Sequence, residues 1–255
     1  MYAGHSQALH NLLSPNMNLF LIDQSQCQDN HTIILSERQT DHLNRVLKAE
    51  KGMSITIGMI DGELGRAEVL DCGSSTLAAR LAQPTTWLAA PKTTPLTLIL
   101  ALPRPQMIKR ILQTVATYGI ERLVLIQTKR VEKSFWQSPA VSDEAIKEQL
   151  RLGLEQGKGT RFPEIQKFTR FREFTEDHAP ALIAGRKNYV AHPGEYPLCP
   201  TGKSEQASTV AIGPEGGFNE FEFELLCKQG FEPIQLGTRI LRVETAVNAV
   251  LARWL

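Results

Sequence analysis

Long apolar runs are missing from this sequence of 255 residues, and no stretch approaches the roughly 20 consecutive apolar residues of a membrane-spanning helix. Residues 1–16 also lack the basic start and the long apolar segment of a secretory signal peptide. We therefore expect a cytoplasmic protein without a membrane partner, and we expect residues 1–16 to form a mobile extension.

Metal-binding and disulfide patterns are missing as well. The four cysteines lie far apart and form no CxxC pair, and the six histidines form no HExxH motif. These absences predict reduced thiols and no metal site. A complete dinucleotide-binding fingerprint is also absent, which disfavours a nucleotide-dependent oxidoreductase.

The chain as a whole has no excess of charge of one sign, since its net charge is only +1. The charges are, however, unevenly distributed along the sequence. Residues 96–187 hold 16 basic and 10 acidic side chains, a net charge of +6, whereas residues 1–95 carry −2 and residues 188–255 carry −3. A positive middle segment suits a polyanion such as RNA. Solvated helix faces account for it equally well.

The pattern of apolar residues changes near residue 90. Before it, short strands surround a helix that carries Leu43, Val46 and Leu47 on one face and stops near Gly52, and a hairpin turns at Asp61-Gly62. Residues 89–94 read as a linker. Beyond the linker, strands alternate with helices as far as residue 255, which predicts an α/β domain with a parallel sheet.

A glycine-rich turn, GPEGG at residues 213–217, follows a predicted strand and precedes a helix. Asn219 and Glu222 have the spacing of a capping box, so the helix start is well defined. The turn therefore lies at the carboxyl end of a strand, where open α/β sheets bind ligands. Glu215 opposes a phosphate but suits a ligand with positive charge or ribose hydroxyls, and S-adenosylmethionine offers both. A tight turn with a solvated glutamate is the alternative.

A second strand, loop and helix follow in the stretch IQLGTRILRVETAVNAVL. Gly237 ends the strand, and Arg239 and Arg242 lie in the loop. Two arginines beside a ligand loop can hold phosphate or stabilise a developing anion. Structural ion pairing, for example of Arg242 with Glu244, explains them equally well. His192, in the stretch AHPG, ends another strand predicted near the same sheet edge.

The pair of motifs IGPEGGFNEFE and LGTRILRVETA resembles the bacterial small-subunit ribosomal RNA uridine-N3 methyltransferases, a family of the knotted SPOUT superfamily. The resemblance extends over nearly the whole chain from Met17. HLNRVLK and DG match the family's N-terminal domain, and the dipeptide at 192–193 matches a third cofactor loop. Arg130, EQ at 155–156 and PEI at 163–165 also fit the family pattern.

The resemblance implies a PUA-like β-barrel RNA-binding domain at 17–88, the linker at 89–94, and a SPOUT methyltransferase domain with a trefoil knot at 95–255. It further implies a homodimer that binds S-adenosyl-L-methionine and methylates N3 of a specific uridine in 16S ribosomal RNA of the small ribosomal subunit. Two alternatives stay open: ribose 2′-O-methylation by a related enzyme, and an RNA-binding relative that has lost catalysis.

The resemblance also assigns roles to individual residues. Arg242 is the predicted catalytic residue, because a guanidinium stabilises the charge left on uracil carbonyl oxygens. The predicted cofactor-binding residues are His192, Gly213, Pro214, Glu215, Gly216, Gly217, Leu236, Gly237, Ile240, Leu241 and Arg242. The predicted RNA-binding residues are Arg45, Lys48, Arg104, Lys129, Arg130 and Lys158.

Four positions depart from the family pattern, and all lie toward the expected RNA side. Thr117 and Tyr118 replace a glutamate and a leucine before a helix-ending glycine, Met107 replaces a lysine, and Gly159 replaces an arginine. These departures bear on RNA specificity more than on cofactor binding.

Overall fold

The computed structural model of the chain describes residues 19–28, 31–74, 77–200 and 206–254. The predicted extension at residues 1–16 lies outside the described residues. The chain divides into two compact units, of which the first runs to Lys92 and also includes Leu154–Phe162. Thr93–Gly153 and Pro163–Leu255 form the second unit.

The first unit is built on one seven-stranded sheet. Its strands are β1 (Leu19–Ile22), β2 (Cys27–Gln28), β3 (Thr32–Ile34), β4 (Ser54–Met59), β5 (Leu64–Asp71), β6 (Arg80–Ala82) and β7 (Trp87–Leu88). The sheet order is β1-β4-β5-β6-β3-β2, with β7 paired to β5, and only the β1–β4 pairing is parallel. Alternate side chains, among them Ile33, Ile57 and Leu81, point into one apolar core.

The predicted hairpin is confirmed, because β4 and β5 pair around a turn in which Asp61 has a φ of 57°. The predicted helix before it is wrong in length. Helix α1 (Glu37–Asp41) continues only through a π-helical turn, His42–Val46, and Lys48 then adopts a φ of 47° instead of extending the helix to Gly52. A π-helical turn holds more residues than an α-turn and shifts the buried face. Leu43 is therefore buried, whereas Val46 is 61% exposed.

The second unit contains a six-stranded sheet in which every pairing is parallel. Its strands are β8 (Thr94–Ala101), β9 (Ile120–Ile126), β10 (Glu164–Phe168), β11 (Lys187–Ala191), β12 (Ser208–Ile212) and β13 (Glu232–Ile234), in the order β10-β9-β8-β12-β11-β13. The central strands β8 and β12 are apolar and almost fully buried, as expected for a parallel sheet covered on both faces. The predicted parallel α/β fold is thus confirmed.

Helices lie between these strands and after the last of them. They are α2 (Pro105–Tyr118), α3 (Asp143–Gly157), α4 (Phe171–Glu173), α5 (Ala179–Ile183), α6 (Glu220–Lys228) and α7 (Val243–Leu251), and a π-helical turn joins α4 to α5. Helix α2 begins with Pro105 and ends at Gly119, whose φ of 64° provides the left-handed cap. Helix α7 packs against α2 and β12. Among the described residues, no helix has both the length and the apolar character needed to span a bilayer.

The segment Leu154–Phe162, which begins within α3, belongs to the first unit. Thr160 accepts a hydrogen bond from the backbone of Asp61 and donates one to the carbonyl of Gly62, at 2.8 and 2.7 Å. Arg38 forms a two-pronged ion pair with Glu155, at 3.0 and 2.7 Å. These contacts join residues about a hundred positions apart in the chain. Local sequence patterns carry no signal for such contacts, so the sequence analysis assigned the segment to the domain at 95–255.

Candidate active site

A cavity of about 590 Å³ opens where β11, β12 and β13 end. Three loops enclose it: the histidine loop (His192–Tyr196), the glycine loop (Gly213–Gly217) and the arginine loop (Gln235–Arg242). The three strands are neighbours and parallel, so their carboxyl ends meet at one edge of the sheet. This is the place where open α/β sheets bind ligands.

Most of the residues predicted to bind a cofactor line this cavity. They are His192, Gly213, Pro214, Glu215, Gly217, Leu236, Gly237, Ile240 and Leu241. The two others, Gly216 and Arg242, lie in the same loops but outside the lining.

Sequence reasoning missed several lining residues. Gly194, Glu195 and Tyr196 extend the histidine loop, and Thr238 and Arg239 continue the arginine loop, all along the cavity wall. Arg239 was noted in the sequence as one of two arginines beside a ligand loop but was not assigned to the cofactor. For the other four, the only sequence signal was their position beside predicted residues. The cavity also reaches Ala246 in α7, because that helix begins directly after the arginine loop.

The glycine loop is a tight turn in which the Gly217 N–H donates to the Pro214 carbonyl at 2.7 Å. Gly217 has a φ of 71°, which side-chain-bearing residues rarely adopt. A Cβ atom at Gly213 would lie 2.8 Å from the backbone nitrogen of Phe218. Glycine is therefore required at both ends of the loop for the turn itself, and the missing side chains leave the backbone open to the cavity.

The arginine loop is anchored to the chain that leaves the histidine loop. Gln235 donates its backbone N–H to the Pro197 carbonyl at 2.9 Å and its side-chain amide to the Tyr196 carbonyl at 2.6 Å. The Cys199 N–H donates in turn to the Gln235 carbonyl at 2.9 Å. Two walls of the cavity are thus joined by backbone pairing beyond the end of the sheet.

An aromatic cluster supports the histidine loop. The ring of His192 lies 4.3 Å from that of Phe223 in α6, and Tyr196 packs on both, with ring centroids 5.8 Å from Phe223 and 6.1 Å from His192. The backbone N–H of His192 donates to the carbonyl of Ile234 at 3.0 Å. His192 is therefore held by stacking and by backbone pairing at the rim of the cavity.

Two of the predicted RNA-binding residues lie against the glycine loop. Arg130 donates from Nη1 to the carbonyl of Gly216 and, at 3.5 Å, to that of Gly217. Arg104 Nε lies 3.9 Å from a carboxylate oxygen of Glu215. Both arginines come from loops that follow neighbouring strands, β8 and β9, so they approach the glycine loop from the same edge of the sheet.

The other predicted RNA-binding residues are distributed over both units. The Lys129 side chain is exposed beside Arg130. Arg45 and Lys48 are exposed in the first unit, where Arg45 pairs with Asp41 at 3.6 Å. Lys158 also belongs to the first unit, and burial lowers the pKa of its ammonium group. Their contact with RNA remains a prediction.

Arg242 occupies the position just before α7, where its side chain is exposed and does not cap the helix. Within the described part of the chain, its guanidinium forms no ion pair with Glu244 or any other carboxylate. The alternative interpretation, in which Arg242 pairs with Glu244, is therefore not observed in this geometry. The guanidinium is available to a ligand at the end of the arginine loop.

Cys199, whose backbone anchors the arginine loop, lies outside the cavity lining. Burial raises the pKa of the Cys199 thiol to about 11, so this cysteine stays protonated at neutral pH. Across the residues described above, no group of three or more His, Cys, Asp or Glu side chains is arranged to hold a metal ion. The cavity lining offers backbone groups, two carboxylates, apolar surface and the guanidinium group of Arg239.

The fold and this cavity define a class, the RNA methyltransferase domain, whose family model matches residues 90–255. The chain belongs to the ribosomal RNA small subunit methyltransferase E family. The member from Treponema pallidum is 30% identical over 248 residues, which are 92% of this chain and 90% of that protein. The methyltransferase E 1 of Borreliella burgdorferi is 26% identical, over 91% of this chain and 95% of its own length.

A solved structure has the same fold. The crystal structure of a ribosomal RNA small subunit methyltransferase E from Neisseria gonorrhoeae, bound to S-adenosyl methionine, has a TM-score of 0.70 and 22% identity. The match covers 93% of this chain and 96% of that chain. The shared architecture therefore spans both units described above.

Replacement of Gly213 by alanine is expected to destabilise the protein, because its Cβ would overlap the backbone at Phe218. Forcing such a group into a packed site costs about 1–3 kcal/mol of unfolding free energy. Gly216→Ala is the matched control, since a Cβ there would meet the movable Arg130 side chain at 2.9 Å. Urea unfolding of both variants checks this, and equal loss in the two would contradict it.

Proposed function

We propose that the protein transfers a methyl group from S-adenosyl-L-methionine to N3 of a specific uridine in 16S ribosomal RNA of the small ribosomal subunit. The observation that carries this proposal is the cavity formed by the glycine and arginine loops, the two segments whose sequences resemble the uridine-N3 methyltransferases. The names of the relatives from Treponema and Borreliella support a substrate in small-subunit ribosomal RNA.

The residues of the cavity fit S-adenosylmethionine. Leu236, Ile240 and Leu241 offer apolar surface suited to an adenine ring, and the carboxylates of Glu195 and Glu215 suit the positive groups of the methionine part. A volume of about 590 Å³ falls within the usual range of small-molecule sites, about 300–1,000 Å³. The Neisseria protein supports the same cofactor, because its structure holds S-adenosyl methionine. When bound, this cofactor supplies an electrophilic methyl group.

The chain's own contribution to the reaction falls to Arg242. Loss of the N3 proton leaves negative charge on the two carbonyl oxygens of uracil. A guanidinium at the end of the arginine loop stabilises that charge more than it stabilises the neutral base, so it acts on the transition state. The uracil N3 is blocked by base pairing in a duplex, so the enzyme must act on an unpaired or extruded uridine.

The RNA is expected to approach over the glycine loop. Arg104, Lys129 and Arg130 lie on or beside that loop and are exposed, and they belong to the segment whose net charge is +6. Phosphate contacts of this kind supply affinity and register without reading sequence. Arg45, Lys48 and Lys158 of the first unit are proposed to bind RNA as well.

The family resemblance carries further proposals about architecture. We infer that the first unit is a PUA-like RNA-binding barrel, which its high content of β-strands supports. We also infer that the second unit is a knotted SPOUT domain, and that the protein acts as a homodimer in the cytoplasm.

Methyl transfer to small ribosomal subunits tests the proposed reaction. Subunits that lack the modification, incubated with the protein and tritiated S-adenosylmethionine, should yield labelled 3-methyluridine after digestion to nucleosides. Labelled 2′-O-methyl nucleosides would instead support the ribose alternative. Absence of label, despite measurable RNA binding, would identify a relative that has lost catalysis.

Replacement of Arg242 by alanine should slow methyl transfer by about 100- to 1,000-fold, the usual cost of losing one donor to a developing oxyanion. Arg242→Lys should restore part of the rate, because an ammonium provides charge but not the planar fork of donors. Single-turnover rates measure the effect, with melting temperature and cofactor affinity recorded on the same proteins. A loss of cofactor affinity or stability in step with the rate would show that Arg242 only shapes the loop.

A further inference from the structure

Glu222 is a carboxylate that is only 3% exposed, and its two oxygens serve two different segments of the chain. One oxygen accepts the backbone N–H of Asn219 at 3.0 Å, which completes the capping box at the start of α6. The other accepts the backbone N–H of Lys129 at 2.6 Å. The capping box does not require this second bond, which links residues 93 positions apart.

The segment that Glu222 reaches is the β9 loop (Thr128–Val131), which follows the strand Ile120–Ile126. The same loop also reaches the glycine loop from outside, because the Arg130 guanidinium donates to the carbonyls of Gly216 and Gly217. Two independent contacts thus join the β9 loop to both ends of the stretch Gly216–Asn219. Neither Glu222 nor Arg130 lines the cavity.

We propose that Glu222 and Arg130 are positioning residues that hold the glycine loop in its ligand-binding shape by fastening it to the β9 loop. This inference rests on the proposed function, which assigns the cofactor to the cavity and RNA contact to Lys129 and Arg130. If Glu222 and Arg130 have this role, cofactor affinity depends on two side chains that do not line the cavity. It also means that Arg130 serves both the cofactor loop and the RNA surface.

The chemistry at Glu222 explains why a carboxylate is needed. Both partners are N–H donors, and an ionised carboxylate offers an acceptor oxygen to each. Glutamine has one acceptor oxygen and one amide group, so Glu222→Gln sets a donor against a donor at one of the two contacts. Leaving a buried backbone N–H without an acceptor typically costs enough free energy to weaken binding of a ligand to the supported loop by about 10- to 100-fold.

Lys129 provides the matched control. Glu222 binds its backbone N–H, which Lys129→Ala retains, while the exposed ammonium group is lost. Lys129→Ala should therefore weaken RNA binding and leave cofactor affinity unchanged. Glu222→Gln should do the reverse and weaken the cofactor by about 10- to 100-fold. Arg130→Ala should weaken both. Arg130→Lys should recover RNA affinity more than cofactor affinity, because the lysine side chain is one atom shorter than the path to Arg130 Nη1, the atom that contacts both carbonyls.

The experiment measures four quantities on each variant: affinity for S-adenosylmethionine by calorimetry, affinity for a small-subunit ribosomal RNA fragment, melting temperature, and exchange of the Lys129 amide hydrogen in the free protein. Glu222→Gln should speed that amide exchange without a matching fall in melting temperature. Wild-type cofactor affinity in both Glu222→Gln and Arg130→Ala would overturn the inference, as would losses that only follow global unfolding.

Failure of the proposed function and failure of the positioning role give different results. If the wild-type protein binds no S-adenosylmethionine, the proposed function fails, whereas the amide exchange of Lys129 still reports on the link between the loops. If the wild type binds the cofactor and the variants bind it equally well, the positioning role alone is wrong. Should Glu222→Gln fail to fold, the exposed Arg130→Ala variant decides the question.

Discussion

The parallel pairing of β12 with β11, and of β11 with β13, is the constraint on which the rest of the site depends. Because neighbouring parallel strands end at the same edge, three loops from distant parts of the chain must meet there. The register fixes their spacing, since Ala191 pairs with Ile212 on one side and with Ile234 on the other. Each loop therefore begins at the same level, and the cavity forms between the three of them.

Around this cavity the backbone and the side chains have separate tasks. The backbone of the glycine loop, freed of side chains at Gly213 and Gly217, shapes the wall against which a ligand lies. Three arginines lie outside the cavity lining, Arg104 and Arg130 at the glycine loop and Arg242 just before α7, whereas Arg239 lines the cavity. A turn whose only charged side chain is the Glu215 carboxylate suits a cationic methyl donor, and the surrounding arginines suit a nucleic acid.

Features with a local cause could be predicted from the sequence. The capping box of Asn219 and Glu222, the left-handed cap at Gly119 and the hairpin turn at Asp61 each depend on residues within a few positions of one another. Contacts between distant segments could not be predicted. The pairing of Gln235 with Pro197, the contact of Arg130 with Gly216 and the placement of Leu154–Phe162 in the first unit arise from tertiary packing, for which local patterns carry no signal.

The central claim is that the cavity at the ends of β11, β12 and β13 is a site for S-adenosylmethionine. Isothermal titration calorimetry of the wild-type protein with this cofactor and its demethylated product, and in parallel with ATP and NAD, tests it most directly. We expect saturable heat with the first two ligands, with one site per chain, and no heat with ATP or NAD. Absence of heat with both cofactor forms, at protein concentrations well above micromolar, would contradict it.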